Sequence, residues 1–282
     1  MKKIKMTTKE LQECEVEILQ FFHDFCELNN LRYYLAGGTL IGAIRHKGFI
    51  PWDDDIDICM PRPDYDRLLK ICSSSMIGKH YKIDSNYYDD SIPTTMVRIY
   101  DTRTEITFDN FRIPYTIGCW VDIFPLDGLD DDEGKRKIHF KEMRLVMDMF
   151  ICCLTKFGGK RRSKFITCFQ YLLLPFVPII RGIGYKRWIR LYNKIASKYD
   201  YNKSNYVGVL AGRGEEKEAM LKKNMEPRIL VDFEDRKFYS MANYDEYLTN
   251  LYGDYMTPPP KSEQTSSHQI NVYWKDKDNC LL

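Results

Sequence analysis

From Gly37 to Asp57 the chain runs GGTLIGAIRHKGFIPWDDDID, and no other stretch restricts its folding so closely. The aromatic-rich run from Leu31 to Ala36 reads as a short buried strand that breaks into a turn at Gly37 and Gly38. Thr39 to Arg45 then has the length of a two-turn helix, and His46 to Asp54 that of a loop. Ile56, Ile58 and Met60 alternate with Asp57 and Cys59, the period of a strand. Asp55 and Asp57 therefore project from one face, about 6.5 to 7 Å apart along the backbone, while Ile56 and Ile58 point into a core. Carboxylates at that spacing suit a hard cation such as Mg²⁺, which takes few protein ligands and leaves positions for substrate phosphates.

The glycines supply the other half of the arrangement. Without side chains the backbone can approach a ligand, and the N–H groups that open the Thr39 helix point at a phosphate. Thr39 offers a hydroxyl, and Arg45 and Lys47 offer charge to a polyphosphate. The best third carboxylate is Asp122 of CWVDIF, set between Val121 and Ile123, where an unpaired charge is costly to bury. Its expected role is a shared metal ligand or the base for an attacking hydroxyl. Singly, these features have ordinary explanations: a turn, a solvated strand end, a loop cap. Glycine turn, short helix, paired carboxylates, intervening helix and later strand carboxylate, in that order, form the core pattern of the nucleotidyltransferase superfamily.

The surrounding pattern predicts an α+β fold: a nucleotidyltransferase-like mixed-sheet core with an appended, mostly helical region. Thr7 and Glu10 make a capping box, and Leu11, Cys14, Ile18, Phe22, Phe25 and Leu28 follow at helical spacing. After Pro61 and Pro63 a helix opens at Asp64 and runs to about Ser75. Strand-like pieces lie at Tyr81 to Asp84, Thr95 to Tyr100, Glu105 to Phe108 and Cys119 to Phe124. The acidic run Asp130 to Glu133 reads as the solvated first turn of a long helix, with further helix from Tyr185 to Tyr199. The expected division is a catalytic core over residues 1–128. Residues 129–282 form an acceptor-side, membrane-proximal region whose C-terminal segment packs back on that core.

Composition narrows the partners. Forty-two Lys and Arg against 40 Asp and Glu leave a net charge of +2, unlike a protein that coats nucleic acid. Nine cysteines, odd in number and with no C-x-x-C pair, suit buried thiols in a reducing compartment. Thr7 to Glu10 stand where a signal peptide would be apolar, so the expected location is cytoplasmic. Phe165 to Ile180 reads FITCFQYLLLPFVPII between basic flanks, too short and proline-broken to span a bilayer. A buried core helix and a helix lying on an anionic membrane surface both fit it, the latter placing residues 160–190 at the inner face of the membrane.

The stretch LAGGTLIGAIRHKGFIPWDDDIDICMPRPDYDRLL resembles the LicD family. So do VRIYD at Val97 to Asp101, VDIFPLDGL at Val121 to Leu129, and YDEYLTNLYGDYM with the prolines and His268 that follow. Gly134 to Tyr199 resembles it only weakly. The family is similar to nucleotidyltransferases in fold and transfers phosphocholine from CDP-choline to cell-surface glycans such as lipopolysaccharide or teichoic acid. Related fukutin-type proteins transfer ribitol phosphate from CDP-ribitol. The resemblance implies Asp55, Asp57 and Asp122 as catalytic carboxylates and metal ligands, with Asp53 as a further ligand, and Mg²⁺ or Mn²⁺ as the metal. Asp54 belongs to the same block without a separable role. Gly37, Gly38 and Thr39 become the phosphate turn, and Arg45, Lys47 and Arg98 the donor-phosphate contacts. Trp52 is placed to stack on cytosine or face a quaternary ammonium, although loop packing explains it equally well.

The expected activity is metal-dependent transfer of phosphocholine from CDP-choline to a sugar hydroxyl of a glycan or lipid-linked glycan, releasing CMP. Ribitol, glycerol or ethanolamine phosphate is the alternative cargo. A D-x-D glycosyltransferase fits less well, because such folds place a nucleotide-binding half of about a hundred residues before the motif, several βαβ units of 30 or more each. Balanced charge and the lack of a basic, aromatic-laced stripe count against nucleic acid as substrate.

Overall fold

The computed structural model describes residues 3–72, 76–87, 89, 91–108, 111–113, 115–156, 174–212, 214–265 and 271–275. Its spine is β8 (Trp120–Leu129), the longest described strand. On one side β8 pairs in parallel with β3 (Ile56–Pro61), Ile56 opposite Val121 and Pro61 opposite Leu126. On the other side it changes neighbour halfway. Trp120 to Ile123 pair antiparallel with β5 (Val97–Asp101), and Asp127 to Leu129 with β9 (Tyr206–Gly208). Pro125, which has no N–H to give a ladder, falls between the two pairings. The strand thus continues past the proline that marks the sequence-predicted end near Phe124. Three short strands complete this seven-stranded mixed sheet: β2 (Tyr34–Leu35) beside β3, β4 (Tyr81–Asp84) beside β5, and β10 (Met220–Leu221) beside β9.

Helix α1 (Thr8–Leu28) lies over the sheet and starts with the predicted capping box, Thr7 and Glu10 each bonding the other's backbone N–H. Its buried face carries Leu11, Cys14, Ile18, Leu19, Phe22 and Cys26. Leu28, grouped with that face by spacing, is 86% exposed at the end of the helix. Helix α2 (Gly37–Ile41) widens into a π turn over Gly42–His46 and stops at Lys47, whose φ is +62°. Only glycine fits at position 42, because a Cβ there would lie 2.4 Å from the carbonyl oxygen of Gly48. Helix α3 (Arg62–Ile71) begins two residues earlier than predicted, because Pro63 sits in its first turn, where no N–H is needed.

After β8, Asp132 caps α4 (Glu133–Leu154) by accepting from the Lys135 N–H, so the acidic run is a helix start, as read. The helices Val177–Ile183 and Tyr185–Ala196 pack on α4 in small apolar clusters such as Phe140, Met143, Tyr192 and Ala196. The rest of the chain returns to the main core. A hairpin of β11 (Arg228–Phe233) and β12 (Arg236–Met241) and the helix Tyr244–Tyr252 place Phe233, Phe238 and Tyr247 in one cluster with Phe22, Ile56 and Val121. Among the described residues Cys14, Cys26, Cys59, Cys72, Cys119, Cys152 and Cys153 are free thiols, all but Cys152 fully buried.

One buried ion pair ties α3 to β8. Arg62 donates from Nε and Nη2 to the two carboxylate oxygens of Asp127, at 2.6 and 2.8 Å, and Asp127 is 1% exposed. Burial pushes the Asp127 carboxyl up despite Arg62 beside it. Removing one partner strands the other charge, so Asp127→Ala is expected to cost about 3 kcal/mol in urea unfolding. Arg62→Met combined with Asp127→Leu should recover most of that loss.

Candidate active site

Register gathers the first group of site residues. Asp57 on β3 stands opposite Asp122 on β8, and Asp122 stands opposite Arg98 on β5. Residues paired in register share a face of the sheet, so the three side chains form a row across three strands. On the other face Ile56, Ile58, Val121 and Ile123 are fully buried. Arg98 Nε donates to Asp122 Oδ1 at 2.7 Å, and its guanidinium lies over the Trp120 ring at 5.0 Å. The sequence marks Asp122 as a charge needing compensation and Arg98 as a phosphate contact. The structure joins the two as a salt bridge.

The glycine turn is pressed against these carboxylates. Gly37 has φ +52°, and its Cβ position lies 3.7 Å from Asp57 Oδ2 and 3.4 Å from the Tyr252 hydroxyl. At Gly38 a Cβ would meet Asp53 Oδ2 at 2.8 Å. Side chains at either position would occupy the site itself. Two hydrogen bonds fix the turn to the strand: Ala36 N–H donates to the Asp57 carbonyl at 3.0 Å, and Asp57 N–H donates to Thr39 Oγ1 at 2.9 Å. Thr39, predicted as a phosphate contact, accepts here at its oxygen and so ties itself to the start of β3, which leaves its O–H free to donate.

The carboxylates brought closest together are Asp53, Asp54 and Asp55, each with a ligand oxygen within 4.8 Å of the others. Asp57 and Asp122 lie outside that group. Asp53 is anchored by its backbone, its N–H donating to Ile50 and its carbonyl accepting from Gln12 Nε2 at 2.9 Å. Burial, and next the charge of Asp55, push its carboxyl up to about 7. Glu15 on α1 is also pushed well up, by burial first and then by Asp55; its Oε2 is buried without a hydrogen-bond partner among the described residues. Crowded acidic oxygens and an orphaned buried one fit a divalent cation, whose charge would relieve both.

The remaining predicted residues lie around this centre. Arg45 Nη1 donates to the Tyr255 carbonyl at 2.5 Å, and burial lowers the guanidinium's pKa. Lys47 accepts at its carbonyl from the Glu234 N–H, and Trp52 packs half-buried against the main core. His268 is outside the described residues. Sequence reading gave no role to Glu15, Tyr247 or Tyr252, although both tyrosines lie in the family-like YDEYLTNLYGDYM. Glu15 leaves a local signal: a carboxylate one turn after Leu11 on a face otherwise made of Cys14, Ile18 and Phe22.

A carboxyl that titrates higher when folded binds more protons folded than unfolded, so the stability it contributes is lost as pH rises through its folded value. With Asp53 raised to about 7, and the buried Glu218 likewise, the cation-free protein is expected to melt lower at pH 8 than at pH 5. Differential scanning fluorimetry should show Mg²⁺ or Mn²⁺ raising Tm more at pH 8, and Asp53→Asn flattening the pH slope.

The family described as LicD/FKTN/FKRP, nucleotidyltransferase domain, matches residues 30–142, which hold every site carboxylate named above except Glu15. The lipopolysaccharide cholinephosphotransferase LicD of Haemophilus influenzae is 32% identical over 277 residues, covering 95% of this chain and 98% of that one. The human ribitol 5-phosphate transferase FKRP is 53% identical over 32 residues, covering 11% of this chain and 6% of that one. An uncharacterized protein of Rickettsia prowazekii is 40% identical over 55 residues, covering 20% and 21%. By its likeness to the Haemophilus protein over nearly the whole length of both, the chain belongs to the LicD family.

Proposed function

We propose that this protein transfers phosphocholine from CDP-choline to a sugar hydroxyl of a cell-surface glycan, releasing CMP. The observation that carries the reading is the glycine turn packed on the Asp53 to Asp57 carboxylates, in a chain similar from end to end to a lipopolysaccharide cholinephosphotransferase. The acceptor oxygen attacks the phosphorus farther from cytidine. The bond from that phosphorus to the bridging oxygen breaks, and CMP leaves with the bridging oxygen. The hydroxyl proton passes to a carboxylate, for which Asp122, beside Asp57 in register, is our candidate. Asp55 and Asp57, with Asp53 and Asp122, would hold Mg²⁺ or Mn²⁺, which neutralises diphosphate charge and stabilises the leaving phosphate. Gly37, Gly38 and Thr39 shape the donor-phosphate side, and Arg45, Lys47 and Arg98 supply positive charge around it. Trp52 is available to the cytosine or the choline head.

The likeness to a ribitol 5-phosphate transferase supports a second cargo, since a different alcohol on the transferred phosphate, with the same CMP leaving group, needs no change in the carboxylate centre. Membrane contact on the acceptor side is supported by an unusual surface. Phe176 and Ile179 are 57% and 63% exposed, and the helix Tyr185–Ala196 turns Arg187, Arg190 and Lys194 to solvent. No helix among the described residues is long and apolar enough to cross a bilayer, and Phe165 to Leu173 lie outside them. The contact is thus read as peripheral, bringing the site to a lipid-linked acceptor.

CMP release should be followed with CDP-choline, CDP-ethanolamine, CDP-ribitol and CDP-glycerol, each with a divalent cation. CDP-choline is expected to turn over fastest. Asp55→Asn and Asp57→Asn should each lower kcat by about 10²- to 10³-fold with unchanged circular dichroism. Full turnover in both variants would remove the assignment.

A further inference from the structure

Glu218 is buried at 7% exposure on the turn Glu215–Glu218, more than 160 residues from the acidic cluster in sequence. Its carboxylate fills a slot left by two glycines: a Cβ at Gly212 would lie 2.2 Å from Oε1, and one at Gly214 3.0 Å from it. Among the described residues no cation offsets it. Burial pushes its carboxyl up, the Gly214 N–H and the Tyr247 hydroxyl beside it draw it partly back, and Oε2 has no hydrogen-bond partner among the described residues. An uncompensated buried carboxylate costs several kcal/mol, so a neutral side chain would serve better if filling the slot were its whole task.

Tyr247 extends the contact. It is 4% exposed on the helix Tyr244–Tyr252, and its hydroxyl oxygen accepts from the Gly37 N–H at 3.4 Å. A phenol that donates its one proton to a carboxylate has only lone pairs left to present, and here they face Gly37. Gly37 is the residue at φ +52° whose Cβ position lies 3.7 Å from Asp57 Oδ2. Tyr252, about one and a half turns further along the same helix, brings its hydroxyl to 3.4 Å from that position.

We propose that Glu218 and Tyr247 are positioning residues that hold the Gly37–Gly38 turn against Asp57, and so set the spacing between the turn and the carboxylates. Glu218 fixes the direction of the Tyr247 O–H, Tyr247 fixes Gly37, and neither touches substrate. This explains why strands and a helix beyond residue 200 return to the main core, since the turn has its outer support there. The proposed use of the turn, donor-phosphate binding, rests on the function proposed above; the hold itself does not.

The test therefore has two arms on the full-length chain. Hydrogen–deuterium exchange of residues 36–39 should speed up about tenfold in Tyr247→Phe and Glu218→Ala, the effect of one hydrogen bond, and stay near wild type in Glu218→Gln, which keeps an acceptor oxygen. Exchange in β3 and β8 should be unchanged, separating loss of hold from loss of fold. In the second arm the KM for CDP-choline should rise about tenfold in the first two variants with kcat within about twofold, and Glu218→Gln should restore it. Equal exchange over 36–39 in all four proteins, or a Glu218→Gln variant as fast as Glu218→Ala, overturns the proposal. A wild-type chain that turns over no CDP donor while exchange behaves as stated leaves the hold in place and removes the function.

Discussion

Everything at the site depends on the parallel pairing of β3 with β8 and on the clamp at its start. Ile56, Ile58, Val121 and Ile123 are buried without residual exposure on one face of this pair, and burial of such side chains stabilises by about 1.5 to 3 kcal/mol each. That burial holds Asp57 and Asp122 side by side on the other face, where like charges in register repel. Two devices make the arrangement tolerable. Arg98 on the next strand neutralises Asp122, and the Thr39 hydroxyl with the Asp57 carbonyl ties the first turn of β3 to the glycine helix. Asp53, Asp54 and Asp55, just before the strand, remain crowded. Their mutual repulsion is what a bound cation would lower.

Local pattern carried much of this into the sequence. A capping box, an Ile-x-Ile alternation and an acidic helix start are each decided by neighbours within a few residues, and each is found where it was read. Proline acts through the N–H that is missing, so its effect depends on where it stands. Pro63 sits harmlessly in a first helical turn, and Pro125 sits where β8 exchanges β5 for β9. Asp57 was legible as a strand carboxylate, whereas Asp55 lies before β3 and groups with Asp53 and Asp54, where the strand spacing of D-x-D does not apply. Arg98 was legible as a site residue but not as the partner of Asp122, since that depends on strand order.

What stayed hidden is the long-range support. Glu218 carries no periodic or motif signal of chemistry, and Tyr247 and Tyr252 stand in the family-like YDEYLTNLYGDYM with no role to read there; all three reach the site only because β9 to β12 and the helix Tyr244–Tyr252 close onto the first hundred residues. Glu15 sits between the two cases: its polar character on an apolar helix face is visible, its target is not. The near-neutral net charge conceals this segregation, with acidic groups gathered at the glycine turn and basic ones on the helix Tyr185–Ala196.

The central claim is that the acidic oxygens beside the glycine turn form one cation-binding centre that also seats the donor diphosphate. Crystals grown with Mn²⁺ and CDP-choline test it most directly, through the anomalous signal of the metal. The account predicts an anomalous peak within about 2.0 to 2.3 Å of an Asp55 oxygen, with the diphosphate bridging from it to the Gly37–Thr39 turn. A diphosphate bound elsewhere, or Mn²⁺ bound away from Asp53, Asp55 and Asp57, would contradict it.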